Sequence, residues 1–221
     1  MPETQYGLLV WDFDGTLADT LGSALEVYNV MAEKYGFERI EDPESVRTFT
    51  ARKFIRHHKI PILRLPSLIR EYLRIQNDRM EEIELNVGIL DSLLAMKDHG
   101  VRHGIISSNS QENISVCLQA NKVENLFDFV IGYPRLFGKS RAIKRRLKAE
   151  KVTNDSVLYV GDEIRDIEAA KKANIDVAAV TWGFNTADSL AEHAPTYLVH
   201  DPQTLTQHVL HGSNGIGIDT L

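Results

Sequence analysis

Four polar groups in this chain each follow a short apolar run. Asp12 and Asp14 follow Leu8–Trp11, and Ser107-Ser108-Asn109 follows Val101–Ile106. Lys139 stands a little beyond Phe127–Ile131, and Gly161, Asp162 and Asp166 follow Val157–Val160. Four carboxylates gathered in one place repel each other unless a cation sits among them. Hard oxygen donors without His or Cys suit Mg²⁺ better than zinc, and Mg²⁺ commonly shares its shell with a substrate phosphate. A lysine, hydroxyls, an amide and such an ion together form a site for a tetrahedral dianion. A carboxylate can itself attack phosphorus. Asp12, at the end of its apolar run, is the better-placed nucleophile. Asp14, two residues on, could protonate the leaving oxygen and then deprotonate water. Gly15 lets the backbone turn close to a phosphate, with Thr16 beside it as a further binding candidate. Singly these signals are weak: a lone D-x-D is commonly a cap or turn, and Ser107-Ser108-Asn109 alone reads as a helix N-cap. Their conjunction in one chain order carries the reading.

The elements that must position them follow from periodicity. Short apolar runs rich in β-branched residues alternate with helical stretches from about residue 89 onward. The runs are Val101–Ile106, Phe127–Ile131, Val157–Val160, Val177–Val180 and Tyr197–Val199. The helices lie at Ile89–Lys97 and near Glu112–Ala120, Ser140–Lys151 and Ile164–Ala173. That alternation predicts an α/β fold, a Rossmann-like parallel sheet flanked by helices with right-handed crossovers. Leu8–Trp11 would join the sheet, and ligands bind beyond the carboxyl ends of such strands. Residues 20–88 show only helical spacing. Leu21, Ala24, Leu25, Tyr28, Met31, Ala32 and Tyr35 share one face, with Gly36 as a stop. A noisier helix is expected around Val46–His57 and a third from Pro66-Ser67. The expected division is a catalytic core of 1–19 and 89–221 and an inserted all-helical cap of 20–88.

Composition narrows the classes. The chain has 221 residues, 43% hydrophobic and 25% charged, and a net charge of −6. That is an ordinary globular balance, and its acidity argues against binding nucleic acid through phosphate neutralisation. The single cysteine, Cys117, excludes an internal disulfide and a multi-thiolate zinc site, and reads as a small buried hydrophobe. No apolar run approaches the roughly 20 residues that span a bilayer. The stretch from Met1 to Gln5 lacks the basic-then-apolar pattern of a signal peptide. The expectation is a cytoplasmic protein with no membrane or nucleic-acid partner, its oligomeric state left open. The Gly/Ser-containing tail Gly212–Leu221 is expected to be loosely held.

Asp12-Phe13-Asp14-Gly15-Thr16, Ser107-Ser108-Asn109, Lys139 and Gly161-Asp162-Glu163-Ile164-Arg165-Asp166 resemble the four motifs of the haloacid dehalogenase superfamily. The likeness covers essentially the whole chain, and the helical insertion resembles the cap of its phosphoglycolate-phosphatase-like branch. The resemblance implies a Mg²⁺-dependent phosphatase acting on a small phosphorylated metabolite through an aspartyl-phosphate. It implies Asp12 as nucleophile and metal ligand, and Asp14 as general acid/base with its carbonyl on the metal. Ser107 would bind the phosphoryl group, helped by Ser108 and Asn109, and Lys139 would hold the phosphoryl oxygens and the nucleophile. Asp162 would ligate the metal directly, and Asp166 through water or by orienting Lys139. Asp14 argues against the dehalogenase branch, and Phe13-Asp14 do not match the D-K-T-G-T pattern of transport ATPases.

Two rival readings stay open: a β-phosphoglucomutase-like phosphoryl shuttle and a non-catalytic binding protein on the same fold. In the cap, Arg47, Thr50, Arg52, Lys53, Arg56, His57 and His58 form a basic cluster in an acidic chain. It reads either as a solvated helix face or as a site recognising a second anionic group on the substrate, with Arg52 and Lys53 foremost in the second reading. His57 and His58 are not expected to share a metal, since adjacent helical positions point about 100° apart. Trp182-Gly183-Phe184 follows a strand and reads as core, with a place in the cleft as the alternative.

Overall fold

The computed structural model describes residues 4–133, 135 and 138–211; the tail Gly212–Leu221 lies outside them. Six strands form one parallel sheet: β1 (Leu8–Trp11), β2 (Arg102–Ser107), β3 (Phe129–Gly132), β4 (Val157–Gly161), β5 (Asp176–Val180) and β6 (Tyr197–Val199). Their order is β3-β2-β1-β4-β5-β6, which puts β1 at the centre between β2 and β4. A strand covered on both faces must be apolar throughout rather than alternating. β1 meets that requirement with four buried residues. Leu9 and Trp11 enter the core on one face, and Leu8 and Val10 the core on the other.

Of the four α-helices between β1 and β2, the first three form the inserted segment: α1 (Leu21–Tyr35), α2 (Ala51–His57) and α3 (Leu65–Asn77). Gly36 ends α1 in the left-handed conformation, φ 72°, as its position after the apolar stripe predicts. The expected second helix is shorter at its start: Thr50 accepts from Lys53 N and caps it there. The chain enters and leaves this helical segment through paired linkers, Asp19 N–H to Glu84 O and Asn86 N–H to Leu17 O. Val27, Met31 and Leu68 form its small core.

The remaining helices are α4 (Ile89–Asp98), α5 (Gln111–Ala120), α6 (Lys139–Glu150), α7 (Ile164–Ala173), α8 (Ala187–Ala191) and α9 (Pro202–His211). α8 and α9 were not anticipated. Asp201 accepts from Thr204 N, and Pro202 occupies the first turn of α9, a start signal legible in the residues. Cys117 is buried in the core, as expected.

Candidate active site

The amide of Asp12 donates to Val160 O at 2.8 Å, so the ladder with β4 continues one residue beyond β1. Its side chain is buried, with Oδ1 accepting from Phe13 N at 2.8 Å and Oδ2 from Lys139 Nζ at 2.7 Å. Phe13 O then accepts from the amides of Leu17 and Ala18, closing a tight loop. Gly15 lies in it at φ +71°, and a Cβ there would stand 2.5 Å from Asp162 Oδ2. Only glycine meets both the conformation and the close approach.

Lys139 opens α6, and its Nζ bridges Asp12 Oδ2 at 2.7 Å and Asp166 Oδ1 at 2.5 Å. Asp166 Oδ2 accepts from Glu163 N at 3.1 Å, so this side chain also fixes the start of α7. Asp162 is fully buried and accepts from Thr16 Oγ1 at 2.6 Å and Phe184 N at 2.7 Å. Carboxylate oxygens of Asp12, Asp162 and Asp166 all lie within 4.8 Å of one another.

Burial opposes the charge on Asp12, but Lys139 and then Arg165 hold its carboxyl below the usual range. Burial raises Asp162 far above that range, and Glu163, Asp166 and Asp12 add to the effect. Burial likewise pushes Asp166 up to about 7 despite Lys139. Lys139 and an Arg165 already paired with Glu163 do not neutralise this group, and its ligating atoms are all oxygens. A hard divalent cation fits such a set; Asp12, Asp162 and Asp166 are the side chains that could hold it. Asp14 gives no side-chain atom to that cluster.

Asp14 instead faces Asn109, whose Nδ2 lies 3.0 Å from both carboxylate oxygens. Burial, then the Asp12 charge, pushes its carboxyl up to about 7. It can therefore carry a proton near neutral pH, as an acid/base group must. Ser107 ends β2 with its hydroxyl accepting from Asn109 N at 3.2 Å, and Ser108 lines a cavity with Asp14 and Asn109. The N-cap of α5 is Ser110, which accepts from Asn113 N, so the preceding three residues are not the cap.

That cavity lies between α1, α2, α3 and the sheet edge and has a volume of about 320 Å³. Arg52 is exposed and does not line it, nor does Lys53. The reason is helical geometry: α2 turns Ala51, Phe54 and Ile55 to the cavity, which leaves 52, 53 and 56 on the other face. Of the basic cluster only Arg47 reaches it. His58 is buried with Nδ1 3.0 Å from Glu38 O, and His57 packs on Phe49. Phe184 lines the cavity, while Trp182 packs on the core and donates to Thr16 O at 3.0 Å.

Sequence reasoning missed Arg165 and Asn185. Arg165 pairs with Glu163 and adds a second positive charge near Asp12 and Asp166. It stands inside the G-D-x-x-x-D stretch, where the motif residues drew attention from it. Asn185 accepts from Ile164 N at 2.9 Å and donates to Arg47 O at 2.6 Å, tying α7 to the loop before α2. Nothing in its sequence neighbourhood marks that contact.

A six-stranded parallel sheet with buried carboxylates and a lysine at its carboxyl edge, covered by an inserted helical segment, is a Rossmann-like α/β fold with a site at the carboxyl ends of its strands. Residues 9–180 match the haloacid dehalogenase-like hydrolase family. The chain is 32% identical over 203 residues to phosphoglycolate phosphatase of Synechococcus elongatus, covering 91% of this chain and 96% of that protein. It is 23% identical over 199 residues to a pyrophosphatase of Listeria monocytogenes, covering 86% and 90%. A haloacid dehalogenase-like hydrolase from Streptococcus pneumoniae shares the fold, with a TM-score of 0.78 at 19% identity, over 92% of this chain and 98% of that one. The chain belongs to the haloacid dehalogenase-like hydrolase family, in its phosphoglycolate-phosphatase-like branch. Among the described residues, no helix is long and apolar enough to cross a membrane.

Proposed function

We propose that this enzyme hydrolyses small phosphomonoesters through an aspartyl-phosphate, with Mg²⁺ as cofactor, in the cytoplasm. The observation that carries the reading is Lys139 Nζ bridging Asp12 and Asp166 with Asp162 alongside, all buried at the carboxyl edge of the sheet. The phosphatase and pyrophosphatase names of the relatives support the reaction class.

In this mechanism the Asp12 carboxylate, kept ionised beside Lys139, attacks phosphorus in line with the leaving oxygen. Asp14, pinned by Asn109, donates a proton to that oxygen. Lys139 and the Ser107 hydroxyl hold the phosphoryl oxygens, with Ser108 and the Gly15-Thr16 backbone beside them. Asp14 then takes a proton from water as it attacks the phosphoenzyme, releasing phosphate and restoring Asp12. Asp12, Asp162 and Asp166, with the Asp14 carbonyl, would hold Mg²⁺, which would supply charge neutralisation for the phosphoryl oxygens. Asp166 keeps Lys139 in place.

The test is phosphate release from a panel of phosphomonoesters with Mg²⁺, for the native enzyme and Asp12→Asn. The variant should lose on the order of 10³-fold or more in kcat, the scale of removing a covalent nucleophile. Rapid acid quench should trap one phosphoryl group on the native chain and none on the variant. Undiminished hydrolysis by Asp12→Asn would remove Asp12 from the nucleophile's role. Isomerisation of a sugar phosphate without net phosphate release would replace the phosphatase by a mutase.

A further inference from the structure

The cavity beside Asp14 sets what the leaving group must look like. It reaches Asp14, Ser108 and Asn109, so whatever fills it is continuous with the phosphoryl site. Its far wall is built by the cap: Leu25 and Met31 of α1, Phe54 and Ile55 of α2, Leu68 and Leu73 of α3. Among the described residues that line it, none contributed by α1, α2 or α3 carries a charge. The phenol of Tyr28 already donates to Glu38 O at 2.9 Å.

Apart from Arg47, the charges at this cavity belong to its core side. Glu163 and Arg165 pair with each other at the start of α7, and Arg135 lies on the loop after β3. Arg47 is the cap's one arginine there, and its guanidinium is engaged. Nε donates to Phe184 O at 3.1 Å, Nη2 to Gly183 O at 3.0 Å, and Nη1 to Glu44 Oε1 at 2.8 Å. Tyr72 offers a phenol near Asp14 and Glu163, but a second anion carried further into the cap would meet an uncharged wall and lose its hydration without a charged partner.

Size points the same way. An engineered apolar cavity of about 150 Å³ takes up benzene. This one is about 320 Å³, far more than the two-carbon leaving group of phosphoglycolate needs. A ligand that fills it would cover apolar surface that the small core of the cap leaves open.

We infer that the substrate is a phosphomonoester whose leaving group carries an uncharged apolar body, alkyl or aryl, of four to about eight carbons, seated against α1, α2 and α3. This rests on the phosphatase reading for the reaction, but the cavity can be tested by binding alone.

The experiment titrates the Mg²⁺-loaded enzyme with methyl-, butyl-, hexyl- and benzylphosphonate and with phosphonoacetate, by calorimetry. Turnover of ethyl, butyl and hexyl phosphate and of phosphoglycolate is measured beside it. Burying a methylene strengthens binding by roughly fourfold. Hexylphosphonate should therefore bind at least about 100-fold more tightly than methylphosphonate, with the gain discounted for ordering of the chain. Phosphonoacetate should bind more weakly than butylphosphonate. Ala24→Leu, at a buried cavity-lining position of α1, should compress the hexyl-to-methyl ratio. Leu25→Phe serves the same purpose if the first variant does not fold. A flat chain-length series, or phosphonoacetate binding more tightly than the alkyl compounds, overturns the inference whatever the turnover. A steep series that neither variant compresses places the tail elsewhere and also overturns it. Absence of phosphate release from every ester, with the chain-length series intact, sinks the phosphatase reading and leaves the cavity assignment standing.

Discussion

His103 ties the strand that carries Asp12 to the helical layer beneath it, and its protonation should weaken the fold. The ring is 1% exposed. Nδ1 accepts from Trp11 Nε1 at 3.2 Å, and Nε2 faces Leu93 O at 3.2 Å. These contacts assign one tautomer: Nε2 carries the proton and donates to Leu93, leaving Nδ1 as acceptor. A second proton on Nδ1 would point at the Trp11 N–H. Burial lowers the ring from 6.5 to about 4, with the Leu93 carbonyl only partly opposing it. The unfolded chain therefore binds a proton below pH 6.5 that the folded chain refuses until about pH 4. Stability from this residue is intact above pH 6.5 and falls as the pH drops, levelling below about pH 4. At 1.36 kcal/mol per pH unit the loss is about 3 kcal/mol. Denaturant unfolding followed by far-ultraviolet circular dichroism, between pH 7.5 and 4, measures it. His103→Gln keeps one donor and one acceptor and does not titrate. The native enzyme's stability relative to this variant should decline by about 3 kcal/mol over that range. A difference that stays constant within about 0.5 kcal/mol would refute the reasoning, as would a ring that titrates near 6.5 by NMR.

Three further outcomes concern the site directly. Lys139→Met strands two buried carboxylates, so in chelator it should lose about 3–5 kcal/mol of stability by denaturant titration, and Mg²⁺ should narrow the gap. Asp162→Asn removes a carboxylate that burial and its neighbours hold far above its usual range. It should melt higher than the native chain without metal and lose the Mg²⁺-dependent rise, which at 100-fold over Kd amounts to about 2.7 kcal/mol. Differential scanning calorimetry with and without Mg²⁺ reads both. Asn109→Ala frees the Asp14 carboxylate, so kcat should fall by roughly 10-fold or more while KM changes little; steady-state kinetics on one ester decide it.

The parts of the site that local sequence could reveal are those fixed by strand ends. β1, β6 and α7 occupy the residues their periodicity predicts. Asp12, Ser107 and Asp162 sit where buried parallel strands stop, because the ladder leaves the next residues free to face a ligand. The register β2-β1-β4 brings those ends side by side, which no single motif could say. The contacts of Lys139 with Asp12 and Asp166 were legible only through the family resemblance, since its reach to both depends on where α6 starts.

The cap's basic cluster turned on a different physical variable. A cluster of basic residues between 47 and 58 was read by composition, whereas its meaning depends on helical phase. Thr50 starts α2, and that start directs Ala51, Phe54 and Ile55 inward and Arg52, Lys53 and Arg56 outward. Had the start fallen at Val46, as the looser pattern allowed, the phase would not have been fixed by the same cap. The cavity is further from the sequence still, since its volume is what α1, α2 and α3 fail to fill when they pack together. An apolar stripe looks the same in sequence whether it closes on a neighbour or lines a hollow. Only the packing separates the two, and here it leaves an uncharged wall where a charged cap would have announced a second anionic group on the substrate.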